Sequence, residues 1–293
     1  MGLWSFLKNV MTNNDDEIED IPQETEKNES HNSYYRIDFS DRNPASVDNQ
    51  IKTKLGNNDD LEVAYVEVST AADDRVCPMC AQFEGKIFPK DKAPKLPLCP
   101  SCSCDFLYYF KSDLPANAII NDVSNFVLPA ECVTLFYKHR QKLYEEKDIY
   151  KQIRICESDM KNLSEFMKPY TEAGFPPPPE LACRDILPDL YMRLGKWKKA
   201  EITIEKCIEF GAYNSADGSE ALEEYKLFKE VATETLAYIE QNPGCLQRNM
   251  YKIMSYEDEK KEILKYFLKY SEQIKKIKHG NTNELYINTP EGR

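Results

Sequence analysis

Long apolar runs are missing from this chain of 293 residues. Nothing approaches the roughly 18 consecutive apolar residues that a membrane span requires, so no membrane role is expected. Positive charge is also scarce. Lys and Arg total 38 against 50 Asp and Glu, a formal charge of −12. That balance argues against polyanion binding by the whole surface, while leaving room for a local basic patch. Histidine occurs three times (His31, His139 and His279) and glycine ten times. No phosphate-cradling glycine loop and no nucleophile–base pair emerges from so few, so an enzyme is not expected. The opening Met1-Gly2-Leu3-Trp4-Ser5-Phe6-Leu7-Lys8 has no leading cationic stretch and no long apolar region, unlike a secretion signal. Phe6 also stands where myristoylation needs Ser or Thr. A soluble, cytoplasmic protein is the expectation.

Cysteine, by contrast, is plentiful. Hydrophobic residues make up 41% of the chain, enough for a real core. Of the ten cysteines, Cys132, Cys156, Cys183, Cys207 and Cys245 are scattered along predicted helices, where a thiol acts as a small hydrophobe. The other five fall between Cys77 and Cys104. Cys77-Pro-Met-Cys80 and Cys99-Pro-Ser-Cys102 are two C-x-x-C knuckles separated by 18 residues. Such a knuckle is a tight turn that aims two thiolates at one point, and paired knuckles are the spacing of a tetrahedral zinc site. Soft thiolates select zinc or an iron–sulfur cluster over Mg or Ca, and knuckles set around a hairpin favour zinc. Cys104 is a fifth candidate that can replace Cys102 or remain a free thiol. Four thiolates close the shell and leave no open position for water, so the zinc is expected to be structural. With no histidine in this stretch, an HNH-type nuclease is not expected either.

Four regions follow from the pattern. Residues 1–45 form a flexible acidic arm; 11–32 hold eight Asp/Glu against the single Lys27 and cannot bury enough apolar surface to offset ordering entropy. Residues 60–112 form the zinc-binding β module, with strands at Leu61 to Thr70, Lys86 to Phe88 and Phe106 to Phe110. Residues 117–245 form a helical domain, with helices at Ala130 to Arg140 and Gln141 to Tyr170. There the chain is interrupted by the extended Pro176 to Pro179, and its helices end at Asn242-Pro243-Gly244. Residues 246–293 form a C-terminal helix (Tyr256 to Tyr270) and a hairpin turning at Gly280-Asn281. The fold class expected is mainly α with a small zinc-stapled β module and a helical-repeat array.

The repeat expectation rests on named residues. In Leu187 to Ile208, large residues stand at Leu187, Tyr191 and Trp197, and small ones at Gly195, Ala200 and Cys207. Two antiparallel helices approach closely where small residues oppose large ones, and Gly195 breaks between them. The segment resembles one tetratricopeptide repeat. An offset copy lies 47 residues earlier: Leu143-Tyr144 matches Leu190-Tyr191, Tyr150 matches Trp197, and Ile153 matches Ala200. The excess over the usual period of about 34 is close to what the proline-rich insertion at 171–180 adds. Stacked repeats present a concave surface, so a protein or peptide partner is expected on the array.

A second resemblance covers the module. Asp73-Asp74-Arg75-Val76-Cys77-Pro78-Met79-Cys80, then Phe83-Glu84-Gly85-Lys86-Ile87-Phe88, then Leu96-Pro97-Leu98-Cys99-Pro100-Ser101-Cys102-Ser103-Cys104 is similar to the cysteine-rich end of phage head-morphogenesis (minor capsid) proteins. That family's pattern has His where Cys99 stands here, a swap between two zinc ligands. The resemblance spans about 35 residues and implies a zinc module of that kind in a phage or prophage setting. The alternative function is a nucleic-acid-associated factor. Between Arg248 and Lys278 there are nine Lys/Arg against five acids, and a helix followed by a basic hairpin (Lys275, Lys276, Lys278) resembles part of a winged helix. The plainer reading of the same residues is a solvated lysine face capping the helices.

Overall fold

A computed structural model of the chain describes residues 63–70 and 76–288. The acidic arm, His31 and Asp73-Asp74-Arg75 therefore lie outside the described residues. The described residues are mainly helical, with two small three-stranded sheets among them. Among the described residues no helix is long and apolar enough to cross a membrane. The described residues divide into two compact units, one of residues 63–70, 76–98 and 102–128 and the other of residues 99–101 and 129–288.

The first unit is built on an antiparallel sheet of β1 (Val63–Ser69), β2 (Ile87–Pro89) and β3 (Asp105–Phe110), with β1 in the centre. Val63, Val66 and Val68 are buried, the β-branched core face of the central strand. Between β1 and β2 lies a single helical turn, α1 (Pro78–Ala81). Residues 113–128 belong to this unit too. Ile120 bridges Ile87 at the outer edge of β2, and the Phe126 ring stacks on Phe83 with centroids 5.0 Å apart. Gln82, one residue past α1, pins the same segment from both sides: its amide donates to the Val127 carbonyl at 2.8 Å and accepts from the Val127 N–H at 2.9 Å. Phe83, Phe88, Met79 and Leu98 are fully buried, so a small apolar core lies beside the cysteines.

The second unit opens with α2 (Val133–Glu145) and α3 (Ile149–Glu172). The break between them falls inside the helix expected over Gln141 to Tyr170. Asp148 caps α3, accepting from the N–H groups of Tyr150 and Lys151, which satisfies donors that an uncapped helix end leaves orphaned. After the extended proline stretch come α4 (Ala182–Asp185), α5 (Leu187–Arg193), α6 (Trp197–Glu209) and α7 (Ser215–Gln241). Buried Arg184 holds the prolines in place through the carbonyls of Pro178 and Pro179, and reaches the Ala212 carbonyl as well. Gly195, at φ +70°, closes α5, and the Lys196 N–H returns to the Tyr191 carbonyl at 2.8 Å. A side chain at this position would be strained and would also meet Gln273. Along the chain α2 packs on α3, α3 on α5, α5 on α6 and α6 on α7.

The tail adds β4 (Cys245–Leu246), α8 (Gln247–Ile253), α9 (Asp258–Tyr270), β5 (Ile274–His279) and β6 (Thr282–Ile287). The sheet order is β4-β6-β5, so the short strand before α8 pairs with the last strand. Ile263, Leu264, Phe267 and Leu268 are buried, and α9 packs against α7. Phe228 of α7 meets Tyr266 and Phe267 edge-on.

Candidate metal centre

Cys77 precedes α1 with an extended backbone, and its carbonyl accepts from the N–H groups of Cys80 (3.0 Å) and Ala81 (2.9 Å). This turn, made tight by Pro78 at the first helical position, brings the two sulfurs to 3.4 Å. The second knuckle folds back on itself in a similar way, the Leu98 N–H pointing at the Cys102 sulfur at 3.3 Å. Cys102 in turn lies 4.0 Å from Cys80, sulfur to sulfur. Cys104 sits immediately before β3, whose first residue, Asp105, pairs with Ser69 of β1. All five cysteines are buried, none more than 4% exposed.

The sulfurs form two overlapping groups, Cys77–Cys80–Cys99 and Cys80–Cys102–Cys104; within each, all ligand atoms lie within 4.8 Å of one another. A tetrahedron of four sulfurs with bonds of about 2.3 Å has edges of about 3.8 Å. The 3.4 and 4.0 Å separations bracket that edge. The cluster can thus hold a metal ion, and its all-sulfur donor set suits a soft or borderline ion over Mg or Ca. The thiol form is favoured as well: Cys104 is pushed up to about 12, chiefly by its contact with Cys102 and then by burial. Crowded sulfurs resist ionising together, and a bound cation is the charge that reverses this preference.

Each sequence-predicted ligand (Cys77, Cys80, Cys99, Cys102, Cys104) falls in this cluster. Cys104, the fifth candidate, shares a group with Cys80 and Cys102. The five remaining cysteines stand apart. Cys156, Cys183 and Cys207 are fully buried, and desolvation raises the thiols of Cys156 and Cys183. His139 binds buried Asp159 at 2.6 Å between α2 and α3, and His279 pairs with Glu284, so neither joins the cysteines.

The array residues are placed as follows. Tyr191, Ala200 and Cys207 are buried, while Trp197 is half-buried, with its ring 6.3 Å from Phe228. In the offset copy Leu143 and Ile153 are buried, but Tyr144 is 74% exposed and Tyr150 40%. The two segments share the position of the turn between helices and differ in where their aromatic residues point. In the tail, Lys275, Lys276 and Lys278 are exposed on β5, and Lys276 donates to the Lys269 carbonyl at 2.7 Å. The sequence reading missed a stripe on α9. Lys261, Lys265 and Lys269 are exposed at four-residue steps, a spacing that puts them on one helix face.

Comparison with protein families, curated proteins and solved structures returned no match.

Proposed function

We propose that the chain is a non-catalytic adaptor or scaffold. In this reading zinc staples the cysteine cluster as a structural ion, and the module is of the type found at the cysteine-rich end of phage head-morphogenesis proteins. Tetratricopeptide-like helices in the same chain bind a protein or peptide. The observation that carries it is two overlapping groups of three buried sulfurs, sharing Cys80, that among the described residues include no histidine or carboxylate. Such a donor set closes the shell and quenches the ion's Lewis acidity, leaving stability as its contribution. The helical side is supported by hairpins that stack in chain order, α2/α3 then α5/α6. The exposed Tyr144 and Tyr150 are aromatic surface suited to a partner, with Lys196 set over the Tyr150 ring at 5.6 Å.

The test is affinity capture with the full chain after nuclease treatment, alongside elemental analysis. The reading expects about one equivalent of zinc, and a protein partner whose retention falls when Tyr144 and Tyr150 become Ala. No bound metal, or capture that depends on nucleic acid alone, would end it.

A second reading, association with duplex nucleic acid, is favoured by the order helix α7, strand β4, helices α8 and α9, then hairpin β5–β6, with β4 pairing to β6. This is the succession expected of a winged helix. Lys261, Lys265 and Lys269 on α9 and Lys275 and Lys278 on β5 are then the phosphate contacts. Binding that weakens steeply with salt, and whose salt slope drops when Lys261 and Lys265 become Glu, would support it. Absence of duplex binding at low salt would remove it.

A further inference from the structure

The four prolines between α3 and α4 take no part in the functions proposed above. All of their peptide bonds are trans. Proline fixes its own φ at about −65° and holds the residue before it to extended backbone, so Phe175 to Pro179 runs as a polyproline II ridge. We propose that this ridge is a docking element, presented to a partner module whose recognition groove is lined with aromatic rings, of the SH3, WW or EVH1 kind. The inference is independent of the zinc and repeat readings, because here the chain offers the ligand and the partner supplies the groove.

Three features of the ridge suit that role. A polyproline II helix repeats every three residues, so Pro176 and Pro179 share one edge, about 9 Å apart, while Phe175 and Pro178 share another. Both prolines of the first edge are exposed, whereas Pro178 is buried and Phe175 partly so. The ridge thus shows a Pro-x-x-Pro edge outward and seats another edge on the protein. It is also clamped at both ends. The Phe175 N–H returns to the Tyr170 carbonyl at 2.8 Å, and Arg184 holds the carbonyls of Pro178 (2.9 Å) and Pro179 (2.8 Å). Arg184 is itself paired with Asp185, whose carboxylate also accepts from the Leu181 N–H at 2.7 Å. A ligand that is already ordered loses little conformational freedom on binding. Finally, Glu172 precedes the prolines and Glu180 follows them. Lys168 and Arg140 pair with these carboxylates, yet the two side chains remain 68% and 53% exposed. A groove with basic residues on its rim complements them.

The experiment measures binding of the full chain to three immobilised probes, an SH3, a WW and an EVH1 domain, beside a peptide of residues 172–182. At least one probe should retain the full chain, and Pro176→Ala and Pro179→Ala should each weaken that retention roughly tenfold or more. Both rings are exposed, so the variants should keep the far-UV spectrum and thermal midpoint of the unaltered chain. Competition gives a readout that needs no variant: excess peptide should displace the unaltered chain from the probe. A probe that binds the peptide but not the chain would show that the seated edge withholds the ridge. Retention indifferent to both prolines and to the peptide would place the contact elsewhere. Either result overturns the proposal, as does a chain that none of the three probes retains.

Discussion

Replacing Asp189 by Asn isolates one buried carboxylate and the pH dependence it imposes. Asp189 lies in α5, buried, with one oxygen lacking a hydrogen-bond partner. Desolvation raises its pKa to about 6, against the opposing pull of Arg193 and of a hydrogen bond from Tyr266. The unfolded chain keeps the ordinary value near 3.8. Below about pH 4 the group is protonated in both states and costs nothing. Between pH 4 and 6 the unfolded chain ionises first, and stability falls. Above pH 6 the full difference stands, about two units or about 3 kcal/mol. Full burial means that solvent screening does not reduce it appreciably. Other carboxylates act the opposite way: the Tyr191 hydroxyl and Lys199 hold Glu157 below its usual range. The quantity to measure is therefore the difference between the chain and Asp189→Asn, in which such contributions cancel. Urea denaturation followed by far-UV circular dichroism at pH 3.5 and pH 7.5 reads it. Asn places an amide beside the unpartnered oxygen's position, which shifts the difference by a similar amount at both pH values. The difference should still move in favour of the Asn variant by about 3 kcal/mol between the two. Parallel pH profiles for the two proteins would mean that Asp189 is not desolvated as described.

The other expectations are briefer. Chelation, or Cys80→Ser, which removes the sulfur common to both groups, should abolish metal binding and unfold the β module while most of the helical far-UV signal remains. Loss of that helical signal as well would show that the two cores are not independent. Trp197→Ala should cost about 1–3 kcal/mol, below the range for a fully buried ring, because the indole is half-buried beside Phe228; a neutral result in thermal denaturation would take this ring out of the helix packing. Arg184→Met should cost about 3–5 kcal/mol, since it strands the carbonyls of Pro178, Pro179 and Ala212 and leaves Asp185 without its ion pair. A change below 1 kcal/mol would show that the proline stretch holds its course without the guanidinium.

The parts of the fold legible in the sequence are those where one local signal suffices. The alternation at Val63 to Val68, the knuckles, and the turn at Gly280-Asn281 each correspond to an element within a residue or two. The break at Asp148 was readable in principle, because an Asp immediately before an apolar helical run is a capping signal; continuous periodicity from Gln141 onward masked it. Segment 113–128 carried no such signal. It joins the β module through Gln82, Phe126 and one bridge to Ile87, contacts made at long range, which periodicity does not encode.

The same limit explains the cysteines and the tail. Spacing brought out all five cysteines but left the role of Cys104 open, because a C-x-x-C pattern counts partners along the chain. Cys104 stands instead immediately before β3, whose pairing with β1 is a long-range contact. In the tail, helix and hairpin were legible, yet β4 is two residues long and α8 seven, both too short to stand out by pattern. Their existence depends on β6 for pairing and on Met250, which is fully buried, for packing. In the nucleic-acid reading proposed above, α7 would be the helix that precedes them. What separates a phosphate-binding surface from a merely solvated lysine face on α9 is whether salt controls its binding.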